Sequence, residues 1–68
     1  MSRNIVIIGA SGTIGSSLVN IYKKNSDNQV YAFSRGYNYQ RDANLIMDDI
    51  DILDEESIQK IVKKYFTE

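Results

Sequence analysis

The sequence of 68 residues has no cysteine, no histidine and no proline. Without cysteine the chain cannot form a disulfide, a thiolate zinc site or a cysteine nucleophile. Without histidine it also lacks a Ser-His catalytic pair and the commonest metal ligand. Because proline is absent, glycine and clusters of Asn, Asp and Ser must mark the turns. These absences exclude a disulfide-stapled domain and several common types of catalytic and metal site.

The chain also has little net charge and no long apolar run. Eight Lys and Arg stand against nine Asp and Glu, so the formal net charge is −1, which argues against a basic nucleic-acid surface or a polybasic membrane patch. No apolar run exceeds the four residues 5–8, too few for a membrane span or a signal-peptide core. We therefore expect a cytoplasmic protein with no nucleic-acid partner and no membrane partner.

Hydrophobic spacing predicts three strands and two helices. The strands are predicted at residues 4–8, 29–34 and 45–47, and the helices at 13–24 and 55–66. Apolar strands separated by helices are typical of right-handed βαβ units. The predicted fold is α/β: a Rossmann-like βαβ(β)α unit with a three-stranded parallel sheet in the order 3-2-1. The connection between the second and third strands is predicted to be a crossover without a helix.

A glycine-rich loop, residues 9–15, joins the first strand to the first helix and reads Gly-Ala-Ser-Gly-Thr-Ile-Gly. In such a junction one glycine permits the tight turn, a missing Cβ lets the backbone approach a pyrophosphate, and the last glycine lets the helix pack closely. Amides of the first helical turn then face the anion, and Ser11 and Thr13 can add hydroxyl donors. The spacing G-x-x-G-x-x-G matches neither G-x-G-x-x-G nor a P-loop. Its context predicts a dinucleotide site, and a turn packed for its own sake is the alternative.

The second predicted strand ends in Ser34-Arg35, with no carboxylate at its tip. An acidic residue near this point binds the ribose hydroxyls of NAD, whereas an arginine accommodates the 2′-phosphate of NADP. A guanidinium attracts that phosphate and can donate several hydrogen bonds to it. The sequence thus favours NADP(H) over NAD(H), with Arg41 as a second candidate for the phosphate and a solvated Arg35 as the alternative.

Two segments of the chain resemble the short-chain dehydrogenase/reductase family. Residues 5–15 look like the N-terminus of that family, and residues 51–58 resemble its D-hydrophobic-x-D-x-x-S-hydrophobic stretch after the third strand. The resemblance covers residues 4–66, about the first third of a typical member. Thr13 stands where the commonest family spacing, G-x-x-x-G-x-G, has a glycine. The loop is closer to the spacing of the extended and atypical branches.

The resemblance implies a set of cofactor-binding residues. The residues expected to line the diphosphate and the adenosine ribose are Gly9, Ser11, Gly12, Thr13, Ile14 and Gly15. The resemblance further implies that Ser34 and Arg35 meet the 2′-phosphate. By the same resemblance, Asp51 would accept a hydrogen bond from the adenine amino group and Ile52 would pack on the ring. The alternative for Asp51 is a solvated loop carboxylate, and no metal site is predicted.

The catalytic motif of that family, Tyr-x-x-x-Lys, does not occur in the sequence. We therefore expect residues 1–68 to be the N-terminal part of a dinucleotide-binding Rossmann domain, truncated and unable to catalyse hydride transfer by itself. The alternatives are a non-catalytic dinucleotide-sensing or interaction module and a structural fragment that binds nothing. A domain this small is marginally stable, and an open β-branched strand edge favours association. Self-association through the first strand is accordingly expected.

Overall fold

The computed structural model describes residues 3–67. Its elements are β1 (Arg3–Ile8), α1 (Thr13–Lys23), β2 (Asn28–Ser34), β3 (Gln40–Asp42), β4 (Leu45–Asp49) and α2 (Glu55–Tyr65). The two helices and the three longer strands lie where the hydrophobic spacing predicts them. Asp54 caps α2, since its side chain accepts a hydrogen bond from the Glu56 amide, and this supplies an acceptor for one of the unpaired amides of the first turn.

The sheet has four strands in the order β1-β2-β4-β3. β2 pairs in parallel with both β1 and β4, whereas β3 pairs antiparallel with β4. The predicted three-stranded parallel sheet is thus wrong in detail: its strands keep the order 3-2-1, but a fourth strand makes the sheet mixed. β3 was not predicted because its three residues are polar and exposed. They form a strand because the chain reverses at Ala43 (φ 46°) and lays them against the edge of β4.

Alternate residues of β2 point to opposite faces of the sheet, as the pleat requires. Val30 and Ala32 pack with Ile7 on the face that α1 covers. Phe33 packs with Ile50 and with Ile61 of α2 on the other face. The two helices therefore cover opposite faces, and β2, buried on both, is the centre of the core.

The side of the molecule at β1 remains apolar and exposed. β1 is an edge strand, and its Val6 and Ile8 side chains are 46% and 55% exposed. Ile14 and Leu18 of α1 lie beside Ile8 around a cleft of about 460 Å³. These four residues are called the β1 flank below. No helix in residues 3–67 has the length and apolar character needed to cross a membrane.

Candidate functional site

The glycine loop lies at the carboxyl edge of the parallel strands. The amides of Gly9 and Ala10 both donate to the Phe33 carbonyl oxygen, at 2.8 and 3.2 Å. These bonds fasten the start of the loop to β2, the central strand. Open α/β sheets bind their ligands at this edge, outside the carboxyl ends of the strands.

The three glycines of the loop are needed for different physical reasons. Gly9 has φ +80°, and a Cβ there would meet nothing within 4 Å, so its role is conformational. A Cβ on Gly15 would lie 2.3 Å from the Gly9 carbonyl oxygen, so only glycine lets α1 approach β1 this closely. A Cβ on Gly12 would make only an ordinary 3.5 Å contact with the same oxygen. Packing within the chain therefore leaves room for a side chain at position 12.

The first turn of α1 presents amides that have no partner in the described part of the chain. Among residues 3–67 no hydrogen-bond acceptor is found for the backbone N–H groups of Thr13, Ile14 and Gly15. The N-cap is Gly12, which has no side chain to accept, and no acidic residue stands in the first turn. Unpaired amides and the positive end of the helix dipole therefore meet at this point, where both favour an anion.

A pair of hydroxyl groups links the loop to the end of β2. Ser11 Oγ lies 2.6 Å from Ser34 Oγ, with Ser34 buried and Ser11 exposed. The Ser34 carbonyl oxygen in turn accepts from the amides of Tyr37 and Ile50, at 3.2 and 3.3 Å. The two serines predicted for separate parts of a cofactor are thus adjacent, and one hydrogen bond connects the two parts of the site.

Arg35 stands at the tip of the turn that follows β2. The hydrogen bond from Tyr37 to Ser34 closes a four-residue turn whose third residue, Gly36, has φ +86°, as a type II turn requires. Asp49 Oδ1 accepts a 2.6 Å hydrogen bond from the Gly36 amide. Arg35 is exposed, and within the described chain its guanidinium forms no ion pair. The turn therefore fixes the backbone at Arg35, and the exposed guanidinium can meet an anion.

A cleft of about 430 Å³ opens beside this turn, between the carboxyl ends of β1, β2 and β4. Its lining residues are Ile8, Gly9, Ser34, Arg35, Ile50, Asp51, Ile52 and Leu53. Asp51 Oδ1 accepts from the Leu53 amide at 3.0 Å, and the other carboxylate oxygen has no partner among residues 3–67. An apolar cleft with a free carboxylate oxygen and a guanidinium at its rim can take a flat heterocycle that carries an amino group.

The predicted site residues fall into two neighbouring clefts. The cleft of about 430 Å³ between the carboxyl ends of β1, β2 and β4 is called the cleft at β4 below. The predicted site residues that line it are Gly9, Ser34, Arg35, Asp51 and Ile52. The remaining loop residues Gly12, Thr13, Ile14 and Gly15 line the cleft of the β1 flank, which shares Ile8 and Gly9 with the first. Ser11 joins the two through its bond to Ser34.

One residue differs from its sequence-based assignment, and one residue at the site was not predicted. Arg41, the second candidate for a phosphate, lies on the outer strand β3, where it pairs with Ile46, and lines neither cleft. Asp49, in contrast, touches the site through Gly36, and no pattern in the sequence points to it. Only the pairing of β2 with β4 places it beside the turn.

A third cleft, of about 740 Å³, also has Arg35 in its lining, together with five acidic residues and two lysines. Within it Asp48 accepts a 2.9 Å bond from Lys64 and a 2.6 Å bond from the Tyr65 hydroxyl. Burial opposes ionisation of Asp48, but the bonds from Tyr65 and Lys64 outweigh it and lower the pKa of Asp48. Burial, and then the bond to Asp48, raises the pKa of Tyr65. Asp48 therefore serves to hold α2 on the sheet, and residues 3–67 contain no cluster suited to a metal ion.

The three parallel strands, the glycine loop at their carboxyl ends and the adjoining cleft define a Rossmann-like α/β unit. The sequence profile described as "NAD dependent epimerase/dehydratase family" matches residues 5–67. The chain belongs to this family, an NAD(P)-binding family related to the short-chain dehydrogenase/reductase superfamily. Comparisons with curated proteins and with solved structures found no match. The match supports a nicotinamide dinucleotide as the cofactor.

Proposed function

We propose that this chain binds NADP(H) and forms the cofactor-binding N-terminal portion of an oxidoreductase like the short-chain dehydrogenases/reductases. The observation that carries the proposal is the row of amides at Thr13, Ile14 and Gly15 that have no acceptor among residues 3–67, set at the carboxyl ends of parallel strands. A diphosphate is the anion that a helix N-terminus binds in this type of fold. A cytoplasmic location stays a prediction from the sequence.

The loop fits a diphosphate because the space in front of those amides is open. Gly12 has no side chain, and a Cβ at this position would contact only the Gly9 carbonyl oxygen, at 3.5 Å. The packing of the chain does not require glycine at this position. The space that a side chain would fill is therefore available to a ligand. In this proposal the Thr13 hydroxyl and the Ile14 amide donate to the diphosphate oxygens, and Ser11 lies beside the adenosine ribose.

The adenosine half of the cofactor fits the cleft at β4. In this proposal the adenine ring packs on Ile52, and its amino group donates to the Asp51 carboxylate oxygen that has no partner among the described residues. The 2′-phosphate of NADP(H) lies against Arg35 and the Ser34 hydroxyl. Because Arg35 forms no ion pair within residues 3–67, it can bind the phosphate without breaking an existing contact.

The bound nicotinamide would supply hydride transfer, and no residue in this chain is assigned to the accompanying proton transfer, because Tyr-x-x-x-Lys is absent. The same absence favours a second candidate, a non-catalytic module that senses or binds the dinucleotide. Both candidates require dinucleotide binding. They differ in whether purified protein that contains this chain oxidises NADPH in the presence of carbonyl substrates.

The phosphate assignment predicts the effect of reversing the charge at position 35. Calorimetric titration of the wild-type chain should show tighter binding of NADPH than of NADH. Arg35→Asp should weaken NADPH binding by about ten- to hundredfold, because it replaces a charge-assisted contact with a repulsive one, and should change NADH binding little. Arg41→Asp is the matched control, since it makes the same charge change on β3, outside the cleft. An unaltered NADPH/NADH ratio in Arg35→Asp would show that Arg35 does not bind the phosphate.

We also propose that two copies associate through the open edge of β1. Unpaired strand edges with β-branched, uncharged residues tend to pair with another chain, and Val6 and Ile8 are exposed there. Sedimentation equilibrium should show a concentration-dependent dimer, and Val6→Lys should shift it to monomer. Gln40→Lys places the same charge on the opposite edge of the sheet and should leave the dimer intact. Equal dimer fractions in wild type and Val6→Lys would exclude β1 as the contact.

A further inference from the structure

Asp49 is bound to the turn that carries Arg35. Its Oδ1 atom accepts a 2.6 Å hydrogen bond from the Gly36 amide, the peptide N–H next to Arg35 in the chain. The register of the sheet creates this contact, because Asp49 is paired with Ser34 at the carboxyl end of β2 and β4. An exposed carboxylate is therefore bound to the turn that carries Arg35, the cation proposed to meet a phosphate.

The position that Asp49 occupies is one that a phosphate oxygen would also use. A backbone amide and a neighbouring guanidinium are both donors to oxyanions. The Asp49 carboxylate already accepts the hydrogen bond of the Gly36 amide. A 2′-phosphate that bound both Arg35 and this turn would meet the negative charge of Asp49. A 2′-hydroxyl would not, because it can donate a hydrogen bond to the same carboxylate, as the ribose hydroxyls of NAD do to an acidic residue in this type of fold.

Three of the other carboxylates in the cleft that Arg35 lines have partners of their own. Asp48 is paired with Lys64, Asp51 accepts from the Leu53 amide, and Asp54 caps α2. Asp49 is the carboxylate whose hydrogen bond goes to the turn itself. Its charge is thus the one that changes the environment of Arg35 most directly.

From this geometry we infer that Asp49 is a specificity-determining residue, which lowers the preference for a 2′-phosphate that Arg35 confers. The inference rests on the proposed dinucleotide site and adds a second residue to its cofactor selection. The site then contains opposing charges, with Arg35 attracting the phosphate and Asp49 holding the adjacent oxyanion position.

Asp49→Asn tests the charge while keeping an acceptor for the Gly36 amide. The NADPH/NADH affinity ratio, measured by calorimetry on the full chain, should rise about five- to tenfold, the effect of one unit charge at close range in a water-exposed site. Asp42→Asn is the matched control, since it removes one carboxylate at the far end of the β3–β4 pair; it should leave the ratio unchanged. Unfolding curves of each variant verify that the fold is retained.

A merely structural role for Asp49 gives a different result. If Asp49 only held the turn, Asp49→Asn would leave the ratio at the wild-type value, and Asp49→Ala would weaken both dinucleotides equally; either result overturns the inference. Binding of adenosine 2′-phosphate gives a readout without the nicotinamide, and it should also tighten in Asp49→Asn. If the wild-type chain binds neither dinucleotide, the proposed function itself fails, an outcome distinct from an unchanged ratio.

Discussion

Gly15→Ala is expected to lower the free energy of unfolding by about 2–3 kcal/mol, a cost typical of overpacking in a well-packed interior. The added Cβ would lie 2.3 Å from the Gly9 carbonyl oxygen and 2.9 Å from the Ala10 Cα. Both are backbone atoms, so relief requires α1 to move away from β1. The higher helix propensity of alanine returns about 1 kcal/mol at most, and the stated cost is net of that gain.

For a domain of this size the loss corresponds to a fall in melting temperature of about 10–20 °C. Thermal and urea unfolding followed by circular dichroism measure it. Asn20→Ala is the matched control, since it adds alanine to an exposed position of the same helix and should change stability by no more than about 0.5 kcal/mol. A Gly15→Ala protein that melts at or above the wild-type temperature would contradict the close approach of α1 and β1.

Gly12→Ala is expected to do the opposite: to leave the fold nearly unchanged and to weaken dinucleotide binding by about ten- to hundredfold. A Cβ at position 12 makes only a 3.5 Å contact with the Gly9 carbonyl oxygen, and φ is −74° there, a value that alanine adopts readily. Gly12 lines the same cleft as Thr13, Ile14 and Gly15, so a Cβ at position 12 would take up space beside the amides that the proposal assigns to the diphosphate. A diphosphate would then be held further from those amides, and close approach is what gives such contacts their strength.

Calorimetry with NADPH measures the loss of affinity, and urea unfolding should show a change in stability below about 1 kcal/mol, the cost of alanine at an N-cap. Asn20→Ala serves as the control for binding as well, since it lies on α1 away from the loop. Undiminished affinity in Gly12→Ala would mean that the diphosphate does not lie against this turn, and the proposed site would have to be abandoned.

Together the two substitutions separate packing from ligand binding within one short loop. The same chemical change, one methyl group, is made three residues apart on the same segment. At Gly15 the chain's own backbone occupies the space, whereas at Gly12 a Cβ would make only an ordinary contact and would border an open cleft. A stability loss at the first position and an affinity loss at the second would establish both functions of the loop.

Much of this structure could be predicted because its signals are local. The spacing of apolar residues places α1, α2 and the three parallel strands correctly. β3 was missed because nothing in its polar residues favours a strand; pairing with β4 alone gives it that conformation. Local propensities act over three or four neighbouring residues, whereas strand pairing depends on a partner elsewhere in the chain.

The candidate site also has one part that the sequence predicts and another that depends on the tertiary structure. The glycine spacing and the Ser34-Arg35 strand end can be read along the chain, since turn geometry and the exposed amides of a helix start are properties of a short segment. The bond between Ser11 and Ser34 joins residues 23 positions apart, and that between Gly36 and Asp49 joins residues 13 apart. No neighbouring residue encodes such contacts. They arise when the register of β1, β2 and β4 brings the ends of separate strands together, so the opposition of Arg35 and Asp49 exists only in the folded sheet.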